Sequence, residues 1–400
     1  MYHRKKTKKK SNSSGRTTGF RSLRYVFKNL FKFLVIGAAV FLLYEFTGAN
    51  SKNIFSGKSE NTYNEGDQQK NRNNSDEKFQ DFRVMFYNVE NLFDIYDDPN
   101  KNDNEFLPDG PRRWTSGRYY NHLRKTAQVI SAIGEWDTPA LCGMCEVESD
   151  SVLIHLLNRT PLREQHYNYC ITTGSDMRGI NNALIYQRDK FRYLGHTSAR
   201  IPFTNKNRRS RDILHVWGEI ITGERLDIFV CHFPSRSGGE KETEPDRIEA
   251  ATFLRKLCDS LYKINPESNI IAMGDFNDNP FDKSIKALTK GIKSKQNLIN
   301  LFGDPKKLNF PGTHKFQGEW AQLDQMFISR NLNNYLKKNS PRIFAEDFLL
   351  DTNARGEKSP LRSYQGPIYK GGFSDHLPIV ADFLLPLRNK TIDNAKTIDN

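Results

Sequence analysis

Asn269-Ile270-Ile271-Ala272-Met273-Gly274-Asp275-Phe276-Asn277 is an apolar run that ends on a carboxylate and an amide. A short continuous apolar run bounded by turn residues is the mark of a buried strand. The same pattern recurs on both sides of it. Arg83-Val84-Met85-Phe86-Tyr87 leads into Asn88 and Glu90, Leu141–Cys145 into Glu146, and Asp227-Ile228-Phe229-Val230-Cys231 into His232. Asp324 lies within a strand-like run, and Asp375-His376 stand just before the last one. A carboxylate in an apolar strand is costly unless a cation or hydrogen-bond donors meet it. Strand ends are also rigid supports for reacting groups. Six polar sites, each beside a strand, therefore point to one assembled centre.

The predicted strands are Phe82–Tyr87, Ala140–Val147, Ala183–Gln187, His215–Thr222, Leu226–Phe233, Asn269–Phe276, Gln322–Ser329 and Ile379–Leu385. Helices are predicted over Gly117–Gly134 and Asp246–Tyr262. In the second, Ile248, Ala251, Leu254, Leu257, Cys258 and Leu261 recur at helical spacing. Gly223-Glu224 reads as a hairpin turn. The mixture defines an α/β domain with helices covering sheet faces, over residues 81–387.

The formal net charge is +13, but eleven Lys/Arg and no acid lie in the first 32 residues. Subtracting those eleven leaves +2 for the remainder, so a global basic footprint for DNA is missing there. Residues 1–29 form a basic tail and residues 30–46 an apolar segment. Its uncharged core, Phe33–Tyr44, is short against the about 20 residues of a typical span. Lys28 and Lys32 can extend it by snorkelling. Three readings stand: a signal-anchor helix, a signal peptide cleaved near Thr47-Gly48-Ala49, or a buried helix. The positive charge before the segment keeps the N-terminus cytoplasmic. The expected location is a bacterial inner membrane, single-pass, with a periplasmic catalytic portion, or secretion after cleavage. Residues 47–80 read as a disordered linker. Residues 388–400, where Thr391–Asn394 recurs as Thr397–Asn400, read as a frayed tail.

The five cysteines do not form a disulfide framework. Cys142, Cys145 and Cys231 fall in apolar strands and read as buried thiols. Cys142 and Cys145 have zinc-like spacing but no second pair. Trp114, Trp136, Trp217 and Trp320 read as packing residues.

Taken together, Phe86-Tyr87-Asn88-Val89-Glu90-Asn91-Leu92, Cys145-Glu146-Val147-Glu148, Val230-Cys231-His232-Phe233-Pro234-Ser235-Arg236, Met273-Gly274-Asp275-Phe276-Asn277-Asp278, Gln322-Leu323-Asp324-Gln325-Met326-Phe327 and Phe373-Ser374-Asp375-His376-Leu377-Pro378 closely resemble the motifs of the endonuclease/exonuclease/phosphatase superfamily. These are metal-dependent phosphohydrolases related to pancreatic deoxyribonuclease, exonuclease III and neutral sphingomyelinase. The resemblance implies a four-layer sandwich, with two mixed β-sheets face to face, helices outside and the site in a cleft at the strand ends. It implies that Glu146 is the main metal ligand, with Asn88, Glu90 and Asp375 completing that side. His376 would be the catalytic histidine and Asp324 its orienting carboxylate. Asp275 would position or deprotonate the attacking water, Asn277 would bind a phosphoryl oxygen, and His232 would donate to the phosphate or the leaving oxygen. Arg178, Asn181, Ser235 and Arg236 are candidate substrate contacts. An oxygen-rich donor set without a Cys or multiple-His cluster suits Mg²⁺ or Mn²⁺ over zinc.

Fold and site do not name the substrate. The leading expectation is a nuclease or phosphodiesterase, acting as a monomer, with nucleic acid among its candidate substrates. Arg112, Arg113, Arg178, Arg208, Arg209, Arg211 and Arg236 are available for a local phosphate groove. Glu148, where the resemblance leads one to expect a basic residue, counts against duplex DNA. The alternatives are a phospholipid or sugar-phosphate phosphatase and a non-catalytic scaffold.

Overall fold

The computed structural model describes residues 78–174 and 176–387. The expected tail, membrane segment and most of the linker lie outside the described residues, as does the C-terminal tail. Among the described residues no helix is long and apolar enough to cross a membrane. In chain order the first nine strands are β1 (Phe79–Leu92), β2 (Leu141–Val147), β3 (Tyr167–Ile171), β4 (Asn181–Gln187), β5 (Phe191–Ala199), β6 (Ile213–Ile220), β7 (Arg225–His232), β8 (Asn269–Asp275) and β9 (Ile299–Asn300). They are followed by β10 (His314–Phe316), β11 (Glu319–Ala321), β12 (Asp324–Ile328), β13 (Arg342–Ile343), β14 (Leu350–Thr352), β15 (Lys358–Pro360), β16 (Tyr364–Gln365), β17 (Ile368–Tyr369) and β18 (Ile379–Pro386).

Two six-stranded sheets result, ordered β13-β18-β1-β2-β4-β3 and β5-β6-β7-β8-β12-β9. Both are mixed. β1 and β2 are parallel, as are β7 and β8. Parallel neighbours need a crossover. Helix Ser116–Gly134 supplies the first and helix Glu240–Ile264 the second.

The alternation of side chains along β8 explains the layering. Ile271 and Met273 face the core between the sheets, while Ile270 and Ala272 face helix Glu240–Ile264. The neighbouring sheet comes close: a Cβ on Gly143 of β2 would lie 2.9 Å from Met273 Cε. Helices Ser116–Gly134 and Asp150–Asn158 bury Leu123, Val129, Ile130, Leu153 and Leu156 against the outer face of the first sheet. The order helix, sheet, sheet, helix is the predicted four-layer sandwich.

All eight predicted strands and both helices exist, with shifted ends. Phe79 and Gln80, assigned to the linker, pair with Pro386 and Leu385 and belong to β1. The helix predicted from Asp246 begins at Glu240 and runs through Pro245. A proline reads as a boundary, but here it sits in the N-terminal part of the helix. Ten of the eighteen described strands, β3 and β5 among them, and helices Asp150–Asn158 and Lys283–Thr289 lie outside the predicted elements. β5 is an edge strand whose residues are mostly exposed, so it carries no apolar alternation to read. Trp114 is buried and donates its indole N–H to the Phe93 carbonyl at 3.0 Å. Trp136 departs from the packing expectation and is fully exposed.

Candidate active site

Strand register lines up the site before any side chain is considered. His232 of β7, Asp275 of β8 and Asp324 of β12 are direct neighbours across three adjacent strands. On the facing sheet Asn88 of β1 stands opposite Cys145, the residue before Glu146. The β1–β2 and β2–β4 ladders both shift register at this point. Such bulges re-aim side chains. Glu90, Asn91, Glu146 and Asn277 all have positive φ, between 50° and 64°. L-residues adopt this conformation at a cost of about 1–2 kcal/mol each, and strain of this kind concentrates at functional sites.

Asp275 is the hub. Its Oδ2 accepts from Asn88 Nδ2 at 3.1 Å and lies 3.6 Å from His232 Nε2 and 3.7 Å from His376 Nε2. Its Oδ1 accepts the Asn277 backbone N–H at 2.9 Å. Burial pushes its carboxyl up to about 7, against the opposing pull of His376. His376 Nδ1 meets Asp324 Oδ2 at 2.8 Å, with both side chains buried. Burial disfavours the imidazolium, yet Asp324 and Asp275 outweigh it and hold His376 well above its ordinary value. His232 behaves oppositely. Burial, with Arg211 and Arg178 nearby, holds it well below the ordinary value, and its Nδ1 has no partner among the described residues. The carboxylates it faces are Asp275 and, at 3.9 Å, Glu146.

Glu146 Oε2 accepts the Asn91 N–H at 2.9 Å. Glu90 Oε2 accepts the Ser363 N–H at 2.7 Å, and Arg362 donates to Asp375 Oδ2 at 2.5 Å. Burial and the neighbouring Asp375 push Glu90 up to about 8, with Glu146 adding to the effect, although Arg362 stands by. Crowded, under-neutralised acids with oxygen-only donors fit a hard divalent cation. Among the described residues, the groupings that bring possible ligand atoms within 4.8 Å of one another are Asp275, Asp324 and His376, and His314, Asp375 and His376; Glu90 and Glu146 belong to neither. Both contain His376, whose Nδ1 is already engaged by Asp324. They read as a hydrogen-bonded pair with neighbours.

The proposed substrate contacts separate. Arg178 is half exposed and lies near His232. Asn181 is spent: its Oδ1 accepts from Thr172 Oγ1 and Gly174 N, and its Nδ2 donates to the carbonyls of Glu148 and Gly179. It braces the loop that carries Arg178. Arg236 is also engaged, donating to the Asn277 carbonyl, Asp278 and Asp282. Ser235 accepts the Ser237 N–H at 3.2 Å. Asn88, expected on the metal side with its amide orienting ligands, has its Oδ1 on the Glu90 backbone N–H and its Nδ2 on Asp275. Arg362 and His314 were not foreseen. The His314 ring lies 4.7 Å from that of His376, and burial lowers it to about 4. The five cysteines are free and buried.

Of two cavities, only the first is lined by acids of the centre. One, of about 310 Å³, is lined by Glu90, Arg112, Trp114, Arg362, Tyr364 and Asp375 among others. The other, of about 480 Å³, is acidic, with Asp94, Asp97, Asp98, Glu148 and Asp150 on its wall. Burial, together with Asp94, Asp103 and Asp98, pushes Glu148 up to about 8.

An acid–histidine centre at the strand ends of two stacked mixed sheets is the architecture of a phosphoric ester hydrolase. The chain matches the Endonuclease/Exonuclease/phosphatase family over residues 83–384 and belongs to it. Solved structures similar to it include an endonuclease/exonuclease/phosphatase family protein from Bacteroides thetaiotaomicron, with 16% identity over 77% of this chain and 96% of that chain and a TM-score of 0.49. Truncated Caenorhabditis elegans TDP2 is 14% identical over 76% and 97% of the two chains, TM-score 0.48. A Bacteroides thetaiotaomicron mannosyl-6-phosphatase is 18% identical over 76% and 99%, TM-score 0.49. No curated protein matches in sequence.

Proposed function

We propose that this chain hydrolyses phosphodiesters at the centre built around Asp275. The supporting observation is the convergence of Asn88, His232 and His376 on one buried carboxylate, with Asp324 behind His376. Glu146, Glu90 and Asp375 would hold a divalent cation, Mg²⁺ or Mn²⁺, which when bound supplies charge neutralisation at the phosphoryl oxygens. In this reading Asp275 orients the attacking water and takes its proton, which suits a carboxyl raised toward neutrality. Asp324 fixes the tautomer and charge of His376, which stabilises the negative charge developing on phosphorus. Asn277 and His232 donate to phosphoryl or leaving oxygens. The test compares hydrolysis of plasmid DNA, sphingomyelin, a sugar phosphate and bis-p-nitrophenyl phosphate by the parent and by Asp275→Asn. Loss of about 10³-fold in the variant is expected; equal turnover by the two proteins refutes the assignment.

A second reading is favoured by the acidic cavity lined by Glu148. Its carboxylates repel a polyanionic strand on that side and accept hydrogen bonds from hydroxyls. A phosphomonoester of a hydroxyl-rich carrier, such as a sugar phosphate, fits that wall, and preference for the sugar phosphate in the same assay selects it.

We also infer from the basic leader and apolar segment that the chain is tethered to a membrane with its catalytic portion outside. Recovery in the membrane fraction, protease-accessible from the outer side, is expected. A soluble form starting near Asn50 replaces the tether with signal cleavage.

A further inference from the structure

A cavity of about 290 Å³ lies outside the cleft, in the connection between β5 and β6. Arg200, Lys206, Arg208 and Arg209 line it, with Ser210. Residues 200–210 contain these four cations and no acid, in a chain whose net charge is only +2 once its first 32 residues are set aside. The connection is anchored. Ile201 and Phe203 are buried in the core beneath helix Glu240–Ile264, and Thr204 N donates to Glu249 Oε2 at 2.8 Å. Arg208 pairs with Asp246 at 2.9 Å. Arg200 feels Asp212 nearby. Among the described residues, Lys206 and Arg209 have no ion-pair partner.

A run of cations is ordinarily a solvated face. Two observations set this one apart. The cations line a concavity, at the small end of ligand-site volumes. The Ser210 hydroxyl, in a residue only 6% exposed, has no hydrogen-bond partner among the described residues. A buried hydroxyl without a partner costs about 1–3 kcal/mol, and four like charges held together repel. A tetrahedral oxyanion answers both: it accepts from the hydroxyl and offsets the charge that Asp246 leaves uncompensated.

We propose that this cavity is a binding site for a phosphate-type oxyanion, with Lys206, Arg209 and Ser210 as its principal donors. The next residue, Arg211, turns the other way. Its guanidinium donates to the carbonyl of Phe233, beside His232, and lies 3.7 Å from Asp176. The site therefore adjoins the His232 side of the cleft along the chain. The anion is either a second phosphate of a bound substrate or free phosphate. The proposal stands on this cavity alone and does not require the cleft to act as described above.

The test is an equilibrium titration of the full chain with sulfate at low ionic strength, followed calorimetrically. The Lys206→Ala/Arg209→Ala double variant should bind sulfate at least about tenfold more weakly. Ser210→Ala should weaken binding by a smaller factor, whereas Arg178→Ala, on the cleft side, should leave this binding in place. Lys206 and Arg209 are exposed, so cooperative melting should survive their removal. Unchanged sulfate binding in the double variant, or no sulfate binding by the parent, overturns the proposal. The source is read from KM in the same double variant. A rise for an oligonucleotide but not for bis-p-nitrophenyl phosphate marks a second substrate phosphate. Unchanged KM for both, with sulfate binding lost, marks a site for free phosphate.

Discussion

The pairing of His376 with Asp324 predicts opposite effects on activity and stability. The Nδ1–Oδ2 separation is 2.8 Å, Asp324 is 1% exposed, and its second oxygen has no partner among the described residues. His376→Ala leaves a buried carboxylate without its counter-charge, and breaking a buried pair costs about 3–5 kcal/mol. Asp324→Asn in that background removes the stranded charge, so the double variant should melt above His376→Ala alone. Turnover should follow another pattern. Loss of His376 is expected to cost about 10³-fold, and Asp324→Asn about 10²-fold through the wrong tautomer and the lost charge. Independent action would multiply these to about 10⁵-fold, or about 7 kcal/mol of barrier. If Asp324 acts only through His376, the double variant stays near 10³-fold. Steady-state hydrolysis of bis-p-nitrophenyl phosphate and thermal melts of all four proteins make the measurement. A multiplicative loss of activity, or a double variant that melts below His376→Ala, would refute the reasoning.

The acids at Glu90, Glu146 and Asp375 predict that EDTA abolishes turnover and that Mg²⁺ or Mn²⁺ restores it, with a matching rise in melting temperature on adding the cation. Full activity in thoroughly chelated protein removes the metal assignment. Glu90→Gln should melt no lower than the parent without cation, since the charge it deletes is already disfavoured, yet gain far less from Mg²⁺; an undiminished gain excludes Glu90 from the shell. At the edge of the first sheet, Asp382 binds Arg83 at 2.6 Å and Arg342 at 2.8 Å, tying β1 and β13 to β18. Burial alone would raise Asp382, but hydrogen bonds from the two arginines outweigh it and its pKa is lowered. A lowered folded-state pKa contributes stability above the unfolded value, lost as pH falls through the folded one. The melting deficit of Asp382→Asn should thus be full at pH 7 and shrink below about pH 4; a deficit independent of pH would show that packing, not charge, is lost.

What could be read from the chain divides along physical lines. β2, β7, β8, β12 and the second half of β1 are buried on both faces, so each is an apolar run whose polar end residue stands out, whereas β18 alternates and exposes Leu384. Asn88, Glu146, His232, Asp275, Asp324 and His376 stand out in the sequence for that reason, and the fold brings them together. β5 faces solvent and left no such trace. Arg362 was missed because its partners, Glu90 and Asp375, reach it only through the folded chain. Asn181 and Arg236 show the converse: donors beside a strand end look available in the sequence, whereas in the fold loop carbonyls and carboxylates engage them. Nor does the sequence announce the left-handed backbone at Glu146 or Asn277, since neither is glycine. Non-glycine residues tolerate that conformation only where the surroundings over-determine it. Here the determinants are visible: bulged ladders beside Glu146, the Asn91 N–H on its carboxylate, and the Asn277 N–H on Asp275. The strain and the acid crowding fall on the same few residues. The centre is therefore a locally unfavourable arrangement, offset by the packing between the two sheets and consistent with a chain selected for what the cleft does as well as for stability.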